Sequence, residues 1–359
     1  MSKLSEAHIN EIKKWLDGFC EYLRSAEGAE DYKDRRERCE RYRDALPLGK
    51  IDGLSEVDFE RLIGDLYANE FWYDKSQPLK RIISMNPSLD YVKAELKKLL
   101  WDNKPISERY DEFRSKVNGL GPSAITELLT LVHSDECVIW SRRVREGIKA
   151  LKMVDIIPAG KYQINGDEYV KVIDILKEVK DVVQCDDTKL KDLMDVDQFI
   201  DYVYKNASKV VPPVILSEDY DFNHDEVKDI IYELGIGLGF EAETEVSIAK
   251  GARVDCIWKA KIGNLGIVKY VFEVHGKGGS MDSLILNLQK AKGDPAVQRL
   301  IAISNTKNLA MLKEEISSLP EEFKRSLALM EAKDALMASE HFKAFKEILD
   351  KLELVKASP

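Results

Sequence analysis

The stretch Tyr270-Val-Phe-Glu-Val-His-Gly-Lys-Gly-Gly-Ser280 decides how the second half of this chain is read. Its apolar run from Val271 to Val274 predicts a buried strand, and Glu273, His275 and Lys277 recur at every second position, which puts them on one face. A strand that aims a carboxylate, an imidazole and an ammonium in one direction as it enters a glycine-rich loop suits a phosphate or a metal. The loop Gly276-Lys-Gly-Gly-Ser280 lacks the G-x-x-x-x-G-K-S/T spacing, so no nucleoside triphosphate site is expected there.

Outward from this strand, the order of elements is legible. Asn223 is a plausible N-cap, with Glu226 in the capping-box position, for a helix through Leu234 with Val227, Ile230, Ile231 and Leu234 inward. Gly235-Ile-Gly-Leu-Gly239 follows a helix rather than a strand, so it reads as a C-cap and loop and not as a dinucleotide fingerprint. Strands are expected at Ala242 to Ile248, Arg253 to Trp258, Ile267 to Gly276 and Leu300 to Ser304, with a helix at Met281 to Leu288 and terminal helices from Leu309 to Leu352. Asp255 and Glu273 then lie side by side across a strand pair, within reach of one divalent ion. Oxygen-only ligands suit Mg2+, or Mn2+, which lowers the pKa of a bound water and neutralises charge on a phosphoryl transition state. Lys277 or His275 is placed to orient or deprotonate that water. Asn287 and Gln289 on the next helix are candidates for DNA contact or support of the acids, although polar helix faces are commonly just solvated.

A chain of 359 residues, 44% hydrophobic and 33% charged, has room for two cores. No apolar run is long enough to span a membrane and the N-terminus carries no signal-peptide pattern, so a cytoplasmic protein is expected. Cys20, Cys39, Cys137, Cys185 and Cys256 are scattered and odd in number, which predicts reduced thiols and no zinc site. A net charge of -10 counts against nucleic acid, yet Lys250 to Lys292 holds eight basic residues against three acidic ones, a local balance of +5 around the candidate site. A charge run of this kind is also what a solvated face looks like.

The first half has helical spacing throughout. Ile9, Ile12, Trp15, Leu16, Phe19 and Leu23 make one apolar face and Val57, Leu62, Ile63, Leu66 and Tyr67 another. Glu30 to Arg43 alternates charge sign, which predicts a solvated helix laced with exposed ion pairs. In Val117-Asn-Gly-Leu-Gly-Pro-Ser-Ala-Ile-Thr126, two glycines and a helix-opening proline permit a tight turn that can leave helix N–H groups open to a phosphate, or that simply joins packed helices. Gly119, Gly121, Ser123 and the following Arg142, Arg143 and Arg145 are the candidate DNA contacts, with Lys290 from the second half.

These motifs resemble known families. The turn at 117–126 and the run Trp140-Ser-Arg-Arg-Val144 resemble the helix-hairpin-helix superfamily of DNA glycosylases, in which an aspartate near the start of the last segment carries the reaction. Ser141 stands there, so the resemblance implies a fold and DNA contact and speaks against base excision. More loosely, Glu108-Arg109, Phe113, Ile139-Trp140, Val196-Asp197, Phe199 and Val203 resemble the all-helical domain preceding ATPase or nuclease modules in some restriction-type proteins. Residues 221 to 304 resemble the PD-(D/E)xK nuclease superfamily, the fold of many restriction endonucleases and Holliday-junction resolvases. Asp255 matches the motif aspartate and Glu273 its second acid, while Val254 replaces the proline and His275 the lysine. The resemblance implies that Glu226 or Glu233 can supply an extra acid, and Lys277, Lys290 or Lys292 the displaced lysine.

The expectation is therefore an α+β multidomain protein: an all-helical domain over 1–205, a Pro-containing linker over 206–220, and an α/β restriction-endonuclease-like domain over 221–359 in the order α-β-β-β-α-β plus C-terminal helices. Its expected activity is Mg2+- or Mn2+-dependent hydrolysis of DNA phosphodiesters, in defence or repair, with a homodimer plausible for cutting both strands. The alternative is a catalytically silent nuclease fold that binds DNA or protein.

Overall fold

A computed structural model describes residues 3–69, 75–185, 188–210, 222–249, 252–261, 266–276 and 279–352. Lys277 and the linker beyond residue 210 lie outside the described residues. The chain divides into two compact units, with the boundary between positions 213 and 214, inside the expected linker.

The first unit is helical. Its helices are α1 (Glu6–Arg24), α2 (Ala26–Ala45), α3 (Glu56–Gly64), α4 (Gln77–Met85), α5 (Leu89–Trp101), α6 (Ile106–Lys116), α7 (Pro122–Val132), α8 (Arg142–Ala150), α9 (Gly166–Val182) and α10 (Leu193–Val210). A two-stranded ribbon, β1 (Gln184–Cys185) with β2 (Thr188–Lys189), is joined between α9 and α10. Ser5, Ser25, Ser55, Ser88, Ser141 and Asn165 each accept a backbone N–H at a helix start, which fixes where those helices begin. Ile12 and Phe19 are fully buried, as their spacing requires, and Leu62, Ile63 and Leu66 join the same core, but Val57 points to solvent. Helix α10 continues five residues beyond position 205.

The reading of α2 as a solvated helix holds for one face, where Lys33 pairs with Glu37, and fails for the other. Arg35 is 2% exposed and binds Asp197, Asp201 (Nη2 to Oδ2, 3.2 Å) and Asp31 (Nε to Oδ1, 3.0 Å). Arg36 meets Asp195 and donates to Asp192 (Nη1 to Oδ2, 2.6 Å), and Arg38 donates to buried Glu127 at 3.0 Å. Four of the partner acids, Asp192, Asp195, Asp197 and Asp201, sit some 160 positions away at the start of α10 or on it, so charge alternation within α2 could not distinguish an internal ionic seam from a wet surface. The thiol expectation also needs amending: Cys20 is disulfide-bonded, whereas Cys39, Cys137 and Cys256 are free and buried.

The second unit is α/β. It runs α11 (His224–Gly237), β3 (Glu241–Ala249), β4 (Ala252–Lys261), β5 (Ile267–Val274), α12 (Met281–Lys292), β6 (Val297–Ser304), α13 (Thr306–Glu315), α14 (Glu321–Ser326), β7 (Leu327–Glu331) and α15 (Ala332–Lys351). The sheet order is β3-β4-β5-β6-β7, antiparallel as far as β5 and parallel beyond it. The parallel pairs require crossovers, which α12 and then α13 with α14 provide. Val254, Ile257 and Val271 pack on Leu284, Leu288 and Leu312 of one helical layer. Cys256, Phe272 and Val274 pack on Val227, Ile231 and Ala335 of the other. Helix α11 outlasts its expected end because Gly235 admits the Trp258 indole, whose Nε1 donates to Ile231 O at 3.0 Å, and left-handed Gly239 (φ +87°) then ends the helix.

β7 is a fifth strand inside the segment expected to be wholly helical. Leu327-Ala-Leu-Met-Glu331 is composed of good helix formers. It is extended because β6 offers an unpaired parallel edge, and pairing with that edge outweighs local preference. Among the described residues, no helix is long and apolar enough to cross a membrane.

Candidate active site

Ladder pairing between β4 and β5 runs from Lys261 and Ile267 to Cys256 and Phe272 and ends there, while β5 stays paired to β6 as far as Val274. The sheet therefore forks at the N-terminal end of β4. Val254 and Ile257 fall in the same apolar layer although three positions apart, so the alternation slips at the fork. Asp255 occupies the gap: its Oδ2 accepts from Val274 N–H at 2.7 Å, the donor that β4 no longer pairs. Opposite, on β3, Glu245 has φ +56°, a left-handed conformation in mid-strand.

Glu273 is 6% exposed and shares a hydrogen bond with Asp255. Burial, the Asp255 charge and that shared bond push its carboxyl up to about 9, while Asn287 of α12 pulls the other way. Its Oε1 is buried with no hydrogen-bond partner among the described residues. Burial also opposes ionisation of Asp255, but the His224 imidazole and the Val274 N–H outweigh it and hold that carboxyl below its usual range. The two carboxyls are thus pushed apart, Glu273 towards its protonated form and Asp255 towards its charged one. An orphaned buried carboxylate oxygen beside a second carboxylate is what a divalent cation would satisfy, so Asp255 and Glu273 fit a Mg2+ or Mn2+ ion. Among the described residues no group of three or more ligand side chains stands preassembled, which leaves water or phosphate oxygens to complete any shell.

Two further side chains meet the acids: His224, which the sequence did not single out, and Asn287, which it offered as a support. His224, the first residue of α11, places Nε2 3.3 Å from Asp255 Oδ2, and Asp255 raises its pKa. Asn287 donates Nδ2 to Arg253 O at 3.0 Å and also reaches Glu273. The signal for His224 was its place directly after the Asn223 cap of the helix lying over the sheet. Glu226, two positions on, donates its N–H to Asn223 Oδ1 at 3.0 Å.

His275 lies just past β5, 8% exposed, where burial lowers its pKa against the pull of Glu315. Its backbone is fixed by Ile303 O and by the Ser304 hydroxyl, and a Cβ on Gly279 would meet its Nδ1 at 3.0 Å. Lys290 sits one turn beyond Asn287 on α12, and Lys292 lies 3.9 Å from Glu322.

The first unit's candidates are distributed differently. Gly119 does take a left-handed turn (φ +89°), but it faces Ile82 of α4, whose Cα a Cβ would meet at 3.3 Å. Gly121 caps α7, and the Ser123 hydroxyl donates to Trp140 O at 3.1 Å. Ser141 is the N-cap of α8, followed by half-buried Arg142. Arg143 joins the ionic seam through Asp201 at 3.3 Å and stacks on Tyr67, and Arg145, 3% exposed, lies over the Tyr162 ring. Ser123, Arg143 and Arg145 thus each have a partner within the unit, Arg145 being buried and the other two half-buried, and the turn at Gly119 packs on α4.

Comparison of the chain with protein-family models, with curated proteins and with solved structures finds no match.

Proposed function

We propose that the second unit is a divalent-metal-dependent nuclease of the PD-(D/E)xK kind, hydrolysing phosphodiester bonds in DNA. The observation that carries this reading is the buried Glu273 carboxyl, with one oxygen unpartnered, beside Asp255 at a fork in a mixed sheet. Such an arrangement is costly for stability alone, since burying two acids together favours neither. When bound, the cation would act as a Lewis acid on the phosphate and lower the pKa of an attached water. The chain's own residues would do the rest. His224 and the Val274 N–H hold Asp255 Oδ2 and so fix which oxygen remains for a ligand. Asn287 orients Glu273. His275, kept neutral by burial, is a proton acceptor for the attacking water.

The test is cleavage of supercoiled and branched DNA with Mg2+ or Mn2+ by the wild type and by Asp255→Ala, Glu273→Ala, His275→Ala and Lys277→Ala. Metal-dependent nicking that disappears in both acid variants supports the reading. Persistence of nicking in either variant refutes it. A second reading, a silent nuclease fold that only binds DNA, is favoured by one feature: an imidazole rather than an ammonium stands two residues after Glu273. DNA binding without cleavage under any metal would select it.

A further inference from the structure

Beside the carboxylate pair lies a shallow cavity of about 420 Å³, lined by Ser247, Ala252, Arg253, Ser283, Leu286 and Asn287. Its one charged lining residue, Arg253, is two positions from Asp255 on β4, a rise of about 6.6 Å. The side chain is 66% exposed, yet it is anchored. Its Nε donates to Glu245 O at 2.9 Å and lies 3.1 Å from Glu245 Oε2. Both acceptors belong to the one residue of β3 with φ in the left-handed region, so the strained turn at Glu245 is what brings carbonyl and carboxylate to the same nitrogen. The other Glu245 oxygen accepts from Lys228 Nζ at 2.5 Å, which fixes the carboxylate from α11. Among the described residues, the two terminal nitrogens of Arg253 take no bond. On the inner side, the Arg253 carbonyl receives Asn287, the residue that also touches Glu273.

We infer that Arg253 is a phosphate clamp, held ready by Glu245, that takes a phosphate neighbouring the scissile one on the same strand. A guanidinium fixed at Nε presents its remaining N–H groups as a planar fork, which matches two phosphate oxygens, and the Ser247 and Ser283 hydroxyls line the same hollow. The ligand class is a strand carrying consecutive phosphodiesters, so an isolated nucleotide ester would engage only part of the site. This inference rests on the nuclease reading and adds its substrate requirement.

The experiment measures binding with chemistry silenced. Fluorescence anisotropy of a short labelled DNA in EDTA is compared for wild type, Arg253→Ala and Arg253→Lys, on an all-phosphate strand and on strands carrying one neutral methylphosphonate at successive positions. Arg253→Ala is expected to weaken binding about tenfold, and Arg253→Lys nearly as much, because lysine has neither the Nε anchor nor the fork. One methylphosphonate position should weaken the wild type yet leave Arg253→Ala unchanged. Arg253 is exposed, so melting temperatures should agree and loss of fold is not a confounder. Equal binding by wild type and Arg253→Ala would overturn the clamp while leaving the nuclease reading to the acid variants. A wild type that neither binds nor cleaves DNA would overturn both.

Discussion

A protonated Glu273 in the metal-free chain has a thermodynamic signature. Its ordinary pKa of 4.5 rises to about 9 on folding, chiefly by burial and then by the Asp255 charge. Between those values the unfolded chain releases a proton that the folded chain keeps, so this contribution to stability is complete below about pH 4.5 and fades as the pH climbs towards 9. Urea denaturation in EDTA should therefore show lower stability at the alkaline end, and Glu273→Gln should flatten that dependence. An unchanged dependence in the variant would place that proton elsewhere. In activity, Glu273→Gln and Asp255→Asn should each lower metal-dependent cleavage by at least ~100-fold; a loss of only a few-fold would remove them from the reaction. At this scale the sequence disclosed Asp255 and Glu273, because acids inside apolar strands are conspicuous. It offered Asn287 only as one polar residue of a helix face, and it did not disclose His224 or Glu245, whose roles arise from where α11 and the left-handed turn of β3 sit.

Elements in both units depend on contacts that local patterns do not carry. Helix α2 is docked by Arg35, whose three acids come from α2 itself and α10. Replacing it with alanine leaves Asp197 buried without its Arg35 counter-charge and should cost about 3–5 kcal/mol, read as a fall in the urea midpoint. A change below 1 kcal/mol would mean that the seam is hydrated. Arg143 and Lys205 would still face Asp201, which together with Arg35 they hold at a pKa of about 2 despite burial. Gly235 gives a second case in which two effects compete. Alanine in a helix interior gains about 1 kcal/mol over glycine, but here its Cβ would come within 2.4 Å of the Trp258 Nε1. Overpacking of this kind costs about 1–3 kcal/mol, so Gly235→Ala should lose stability on balance, with the lost Trp258 packing visible in fluorescence. An increase in stability would show that the indole swings aside. Strand β7 belongs to the same lesson, since its residues favour helix and only the edge of β6 makes them a strand.

Taken whole, the chain carries a charge of -10, so long-range attraction to nucleic acid is weak and binding must rely on a few placed cations. The plot of log affinity against log salt should be shallow, with a slope of about -2, the mark of two or three neutralised phosphates. A slope several units steeper would reveal a basic surface elsewhere on the protein. The sequence by itself determined the division into a helical and a mixed part, the order α-β-β-β-α-β of the second, and the two acids that face each other. Each of these is written in local periodicity, caps and turn residues, which act over a few positions. Only the tertiary structure decided that one face of the charged α2 is internal, that a fifth strand joins the sheet, and that Arg143 and Arg145 of the first unit find partners within it. It also set the fork at Asp255, where Val274 and His224 claim one oxygen while Glu273 keeps another unpaired. The physical reason is common to all four: an ion pair, an edge pairing and a buried proton each depend on a partner remote in sequence, and a partner's distance is a property of the fold.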